Sequence, residues 1–248
     1  YFLLIIGGIT MKKILIINGS RDKEGNTQYF ISRILENISN QYNIEWIFPQ
    51  DYTLFPIYEA NKDDYHKNKD DYYKLEKEIE NSNLLIVSSP VYMHNVSSDI
   101  KLLLERFSSW SHTLKLNGKP VIVLSTCESN GFNKVIEPLS QILTYMGGNV
   151  IATSNASVIK ELHSEDDLKK ISKEIGNRIN EYINKPPQSN KYIEKTFQSM
   201  KKIMNYRINT LRSSDSQQYD SEEKYWIETE LIKFDSFEAY IKSKISHK

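Results

Sequence analysis

Cysteine is almost missing from this 248-residue chain, where Cys127 stands alone. A single thiol excludes an intramolecular disulfide and any cysteine-ligated iron–sulfur cluster, and it fits a reducing cytoplasm. A surplus of one charge is missing too, with 32 acidic and 32 basic residues. That balance gives no pull toward nucleic acid or an anionic membrane surface. Long apolar runs are also absent. The opening Tyr1–Thr10 stretch is apolar, but a membrane-spanning helix needs about 20 such residues. No basic segment precedes it, as a secretion signal would require. Met11-Lys12-Lys13 looks like a translation start, so residues 1–10 are expected to be an N-terminal extension outside the core, with an extra edge strand as the alternative. His66, His112, His163 and His247 show no metal-ligand spacing, so no metal site is expected.

What is there is ordinary for a globular protein: 39% apolar and 26% charged residues, enough for one sizeable core and an appendage. From Met11 onward, short β-type apolar runs alternate with amphipathic segments. Strands are expected at 13–18, 43–48, 83–89, 120–126 and 149–154, and helices at 26–40, 70–81, 97–110, 132–147 and 165–184. Three of the strands are almost uniformly apolar, as strands covered on both faces should be. Such alternation implies right-handed crossovers and a parallel sheet between two helix layers. Five strands suit the flavodoxin-like order 2-1-3-4-5, an α/β three-layer sandwich over residues 11–185.

Two regions stand apart. Asn61 to Lys74, dense in Asp, Lys and Tyr, reads as a solvated loop and helix start. Lys185-Pro186-Pro187 should end the fifth helix and open a helical C-terminal appendage over 186–248. Residues 191–208 are amphipathic, and Tyr225, Trp226, Phe234 and Phe237 supply apolar anchors, too many for a disordered tail. Asp235 and Glu238, three apart, suggest a cap for a last helix.

Two loops carry the chemistry. After the first strand, Asn18-Gly19-Ser20-Arg21-Asp22-Lys23-Glu24-Gly25-Asn26-Thr27 leads into a helix. Glycines allow tight turning, short polar side chains offer hydrogen bonds, and helix N-terminal amides attract anions, so the loop suits a phosphate monoester. It is neither a P-loop nor a G-x-G-x-x-G site, and an ordinary capped βα turn remains the plain alternative. After the third strand comes Ser89-Pro90-Val91-Tyr92-Met93-His94-Asn95-Val96-Ser97. In the expected order both loops flank the switch point of the sheet, where open α/β folds bind ligands. Tyr92, Met93, His94 and Asn95 suit a flat heteroaromatic ring. Thr126-Cys127-Glu128-Ser129-Asn130-Gly131, after the fourth strand, forms a third wall.

With these motifs, residues from Met11 to about Gly148 resemble the NADPH-dependent FMN reductase family. The resemblance rests on Gly19-Ser20-Arg21 with Gly25-Asn26-Thr27, and on Ser89-Pro90-Val91-Tyr92 with Ser97, Lys101 and Glu105-Arg106. It implies bound FMN, with Ser20, Asn26 and Thr27 on its phosphate and Arg21 also among the cofactor-binding residues. Pro90, Val91, Tyr92, Met93, His94 and Asn95 would line the isoalloxazine ring, and Thr126, Cys127 and Gly131 its other edge. It further implies NADPH or NADH as hydride donor, a homodimer, and a small-molecule acceptor such as a flavin, a quinone, an azo or nitro compound, or a dedicated metabolite. Family members often carry Gly or Ser where His94 and Asn95 stand, and Asp where Glu105 stands. Iron–sulfur relatives have cysteines between strands 2 and 3, which this chain lacks.

Hydride chemistry belongs to the flavin, so no catalytic side chain is assigned. His94 reads as a loop contact and Cys127 as a small passive neighbour. Trp110 reads as packing, and Arg106 pairs with a nearby carboxylate or across a subunit boundary. Two rivals share the fold: a flavodoxin-type electron carrier and a non-catalytic binding module. Carriers are usually strongly acidic, and this chain is not.

Overall fold

The computed structural model describes residues 5–6, 9–60, 64–213 and 219–246. Its sheet has five strands: β1 (Lys13–Asn18), β2 (Asn43–Ile47), β3 (Leu84–Pro90), β4 (Pro120–Cys127) and β5 (Asn149–Ser157). Their spatial order is 2-1-3-4-5. β1 pairs in parallel with β2 and β3, and β3 with β4. The expected flavodoxin-like α/β sandwich is therefore the observed fold. The helices are α1 (Asn26–Leu35), α2 (Asp64–Lys69), α3 (Tyr72–Glu80), α4 (Ser98–Arg106), α5 (Trp110–Thr113), α6 (Asn133–Tyr145) and α7 (Glu165–Tyr182). The C-terminal helices are α8 (Lys191–Ser213), α9 (Ser221–Glu228) and α10 (Phe237–Ser246). Ile5–Ile6 and Ile9–Thr10 pair only with each other, as a two-stranded antiparallel piece outside the main sheet. The rest of the 1–10 expectation falls on residues outside those described.

Two compact units divide the chain. One comprises residues 1–106, 120–140 and 150–185. Alternate residues of its strands go to opposite faces. Ile14, Ile16, Leu84, Ile86, Ile122 and Leu124 pack with Phe30, Ile31 and Ile34 of α1 and Leu168, Ile175 and Ile179 of α7. Leu15, Ile17, Leu85, Val87, Val121 and Val123, on the other face, are equally buried, as are Leu75 and Ile79 of α3 and Ile100 of α4. In the polar stretch before α3, Asn68, Lys69, Tyr73 and Lys74 are exposed as expected, but the Asp70 side chain is buried; residues 61–63 lie outside those described. Arg106 forks onto Asp70, with Nη2 at 3.1 Å from Oδ1 and Nη1 at 2.5 Å from Oδ2. Its Nη1 also donates to the Phe55 carbonyl at 2.8 Å. Both side chains are more than nine-tenths buried. Planar guanidinium geometry matches a carboxylate, which is why this pair survives burial.

The second unit comprises 107–119, 141–149 and 186–248. Leu114, Ile193, Phe197, Met204, Ile208, Trp226, Leu231, Phe237, Tyr240 and Ile241 form its core. Phe197 and Trp226 stack with centroids 5.7 Å apart. The two inserted segments join the tail through backbone contacts: Gly118 donates to the Gly147 carbonyl at 2.8 Å and accepts from Gln188 at 3.0 Å. At Gly147, φ is +86° and a Cβ would lie 2.5 Å from the Leu114 carbonyl oxygen. The expected Asp235–Glu238 cap does not form. Ser236 Oγ accepts from Ala239, and the Glu194 carboxylate of α8 accepts from Phe237 at 3.0 Å and Glu238 at 2.9 Å. Glu194 takes the Phe237 and Glu238 amides that an Asp235 cap would need, and the local cap moves one residue on, to Ser236.

Candidate ligand crevice at the strand ends

β1 ends in Asn18, which is fully buried. Its Oδ1 accepts from the Ser20 amide at 3.0 Å, turning the chain sharply out of the sheet. The next amide, of Gly19, donates to the Ser88 carbonyl of β3 at 2.9 Å. A Cβ on Gly19 would sit 2.3 Å from Ile100 Cγ1 and 2.9 Å from both the Ser88 carbonyl oxygen and Ser97 Oγ. Only glycine fits there, and its smallness lets the first loop lie against the start of α4. Ser20 and Thr27 are buried, while Asn26 is exposed. Gly25 precedes α1, and no side chain caps that helix. The first-turn amides therefore have no side-chain cap, although the Asp22 carboxylate lies close by, its Oδ2 2.8 Å from where a Gly25 Cβ would be and its Oδ1 accepting from the Glu24 amide at 2.9 Å.

The loop's own cations are already engaged. Arg21 forks onto Asp99 of α4 at 2.7 and 2.8 Å. The hydrogen bonds and charge of Asp99 raise the guanidinium above its usual range. Lys23 pairs with Asp51 at 2.5 Å and lies over the Phe48 ring. Any anion here must be held by amides and hydroxyls, and Ser20, Asn26 and Thr27 with the open turn of α1 form a donor set that fits a phosphate monoester.

β3 is buried along its length and hands over to the second loop at Pro90. Ser89 Oγ accepts from the Ser97 amide at 2.9 Å, and Val91 donates to the Thr126 carbonyl at 2.8 Å. Tyr92 and Asn95 then exchange two backbone hydrogen bonds, 3.0 and 2.9 Å, around Met93 and His94. Those two residues have φ of +49° and +56°. A two-residue turn with both centres left-handed usually takes Asn-Gly. Met93 and His94 carry side chains there, at a cost of about 1–2 kcal/mol each. The turn lifts Tyr92 (53% exposed) and Met93 (96% exposed) into solvent. Asn95 Oδ1 accepts from Val96, so it is already used.

The third loop closes against the second. Gly131 has φ +85°, and a Cβ there would lie 2.7 Å from His94 Nδ1 and 3.0 Å from Val91 Cγ1. Across the crevice base, Thr27 Oγ1 and Thr126 Oγ1 are 2.7 Å apart. Cys127 is buried, and burial pushes its thiol up, helped by the Glu161 and Glu128 carboxylates against a hydrogen bond with Asn155. A protonated, covered thiol is a poor nucleophile.

All thirteen site residues expected from sequence lie in one unit, on the loops after β1, β3 and β4 or on the element ends that flank them: Asn26 and Thr27 open α1, Pro90 ends β3, and Thr126 and Cys127 end β4. Asp99 was not singled out, and Asn18 and Ser97 were named only as parts of motifs, without a role. An asparagine directly after an apolar strand was a readable turn signal; the Arg21–Asp99 fork, 78 residues apart, was not. Among the described residues, no group of acidic, His and Cys side chains could hold a metal. No described helix is long and apolar enough to cross a membrane.

A parallel sheet with an uncapped helix and two facing loops at its switch point is the open α/β arrangement that takes ligands at the strand ends. The family model for NADPH-dependent FMN reductase matches residues 12–162, more than half the chain, and the chain belongs to that family. It is an oxidoreductase of that FMN-dependent, NAD(P)H-using class. Solved structures agree on the fold. A flavone reductase superposes with a TM-score of 0.57 at 15% identity, covering 72% of this chain and 66% of that one, just under two thirds. RosB with a bound 8-demethyl-8-formylriboflavin-5'-phosphate intermediate gives a TM-score of 0.57 at 14% identity, covering 84% and 90%. An FMN-dependent NADH-azoreductase from Bacillus anthracis in complex with FMN gives 0.51 at 15%, covering 68% and 100%. By sequence, no curated protein matches.

Proposed function

We propose that this chain passes electrons from NAD(P)H, through FMN held in the crevice, to a small acceptor: a flavin, a quinone, an azo or nitro compound, or a dedicated metabolite. The observation that carries the reading is the uncapped start of α1 between buried Ser20 and Thr27. FMN, when bound, supplies hydride acceptance and release. Ser20, Asn26, Thr27 and the first amides of α1 grip the phosphate, and Arg21, fixed by Asp99, closes the loop's outer side. Pro90, Val91, Tyr92, Met93, His94 and Asn95 offer the ring-facing wall, with Thr126, Cys127 and Gly131 opposite. Exposed Tyr92 and Met93 present a flat, soft surface for stacking. Burial pushes the Cys127 thiol up, which suits a small passive neighbour of the ring.

We further place the chain in the cytoplasm as a homodimer, on its single reduced cysteine and on the family resemblance respectively, with residues 11–185 as the FMN-binding domain and 186–248 as its appendage. The decisive experiment is spectroscopic. Purified protein, supplied with FMN, should show the yellow flavin absorbance and bleach anaerobically within a turnover of NADPH or NADH addition. A protein that stays colourless in FMN sinks the reading, and one that binds FMN without bleaching is a carrier.

A further inference from the structure

The outward face of α8 carries a pattern that nothing in the crevice uses. Tyr192, Thr196, Ser199, Ile203, Tyr206 and Thr210 follow one another at steps of four, three, four, three and four. That is the a/d seam of a heptad, the spacing that lets a second helix lie alongside. It is a separate stripe from Ile193, Phe197, Met204 and Ile208, which fill the unit's own core. Tyr192, Ile203 and Tyr206 are 62%, 45% and 73% exposed. The hydroxyls of the seam are turned inward. Thr196 donates to the Tyr192 carbonyl at 3.1 Å, Ser199 to Lys195 at 3.1 Å and Thr210 to Tyr206 at 2.9 Å. The seam is therefore less polar than its composition.

Charge selects the occupant. In a chain of balanced charge, α8 holds Lys191, Lys195, Lys201, Lys202, Arg207 and Arg212 against Glu194 alone. Glu194 caps α10, Lys201 donates to the Phe234 carbonyl and Arg207 meets Glu222 and Glu223. Lys191, Lys195 and Lys202 remain exposed beside the seam with no carboxylate partner among the described residues. Lys195 and Lys202 are seven apart, at the position flanking the seam on one side. On the other side stand Met200 and Arg207, turned toward the unit's own core. A second copy of the chain does not suit this face. Antiparallel self-pairing would set lysine against lysine, and parallel self-pairing would set lysine against Met200 and Arg207.

We propose that this face of α8 docks an amphipathic helix of a partner protein, with acidic residues opposite Lys195 and Lys202 and small aliphatic residues between the tyrosines. The contact would run about 27 Å, from Tyr192 to Thr210 at 1.5 Å per residue. It is independent of the flavin reading. Nucleic acid is disfavoured because three lysines fall short of the six to ten phosphate contacts typical of such binders. A membrane surface is disfavoured because the seam offers one isoleucine and two tyrosines rather than a broad apolar face.

The probe is a fluorescent 21-residue helical peptide with Leu and Ala in its seam and Glu at both flanking positions, titrated by anisotropy against the full chain. Its twin carries Lys in place of Glu. The expected result is salt-sensitive binding of the acidic peptide at least tenfold tighter than of the twin. Lys195→Glu with Lys202→Glu should invert that preference, and Ile203→Asp should weaken the acidic peptide about tenfold, with circular dichroism unchanged in each. These positions are exposed, so folding is not at stake. No binding of the acidic peptide, or equal binding by the double glutamate variant, overturns the proposal. So does tighter binding of a single-stranded oligonucleotide or of phosphatidylserine vesicles.

Discussion

Two helix starts, one in each unit, are treated in opposite ways. In the sheet unit, α1 begins after Gly25 with no capping side chain. In the other unit, α9 begins in a full capping box, Asp220 with Glu223, and Glu223 is 1% exposed. Its carboxylate accepts from the Asp220 amide at 2.9 Å and meets Arg207 at 2.5 Å. Trp226 Nε1 donates to the His112 carbonyl at 2.8 Å. A helix start that a protein seals contributes to its own stability, while one left open is free to bind something else.

That contrast can be broken or sharpened by substitution. The largest effect is expected in the sealed unit. Trp226→Ala removes a fully buried indole stacked on Phe197 and should cost about 3–5 kcal/mol, read as a lower chemical-denaturation midpoint. Next comes Gly19→Ala, whose methyl meets Ile100 and the Ser88 carbonyl. Displacing the first loop should cost about 1–3 kcal/mol and weaken FMN binding, measured by fluorescence quenching, by tenfold or more. Thr27→Ala combined with Ser20→Ala should weaken FMN about fivefold to a hundredfold, at about 0.5–1.5 kcal/mol per hydrogen bond. Unchanged affinity would mean that the phosphate lies elsewhere.

His94→Gly should relieve left-handed strain and raise thermal stability by about 1 kcal/mol in the absence of flavin. If stability falls instead, the contact of His94 with Gly131 outweighs the strain. The smallest effect is electrostatic. The hydrogen bond with Glu222, against burial and the Arg207 charge, raises His112 above its usual range. Burial works to raise Glu222, but hydrogen bonds from His112 and Arg207 win and hold it below the usual carboxylate range. The histidine's contribution is full below about pH 6.5, its unfolded value, and is lost as pH rises through the raised folded value. Glu222's contribution is present above about pH 4.3 and is lost as pH falls through its lowered value. The imidazole is half exposed, so screening limits it to roughly 0.5 kcal/mol. His112→Gln should therefore melt lower than the parent at pH 5.5 and alongside it at pH 8.5.

The strands show how much was legible. Runs such as Val121-Ile122-Val123-Leu124, short and rich in β-branched residues, read as strands covered on both faces, and five of them alternating with helices suit the order 2-1-3-4-5. The loops between them were legible as chemistry, because turn residues and short polar side chains act locally. Asp70 was not. It sits in a stretch of solvent-type letters and becomes buried only because Arg106, 36 residues away, reaches it. The same holds for the two inserts, 107–119 and 141–149, whose grouping with the tail depends on Gly118 and Gly147 meeting.

Sequence alone set the strand–helix alternation, the sheet order, the two facing loops and the heptad spacing on α8. Each follows from periodicity or from turn chemistry within a few residues. Tertiary structure alone decided that Arg21 is taken by Asp99, that His94 presses on Gly131, that Glu194 caps α10, and which lysines of α8 stay unpaired. Those outcomes depend on charges and atoms brought together across tens of residues, where the competition between partners is settled by geometry rather than by neighbouring letters.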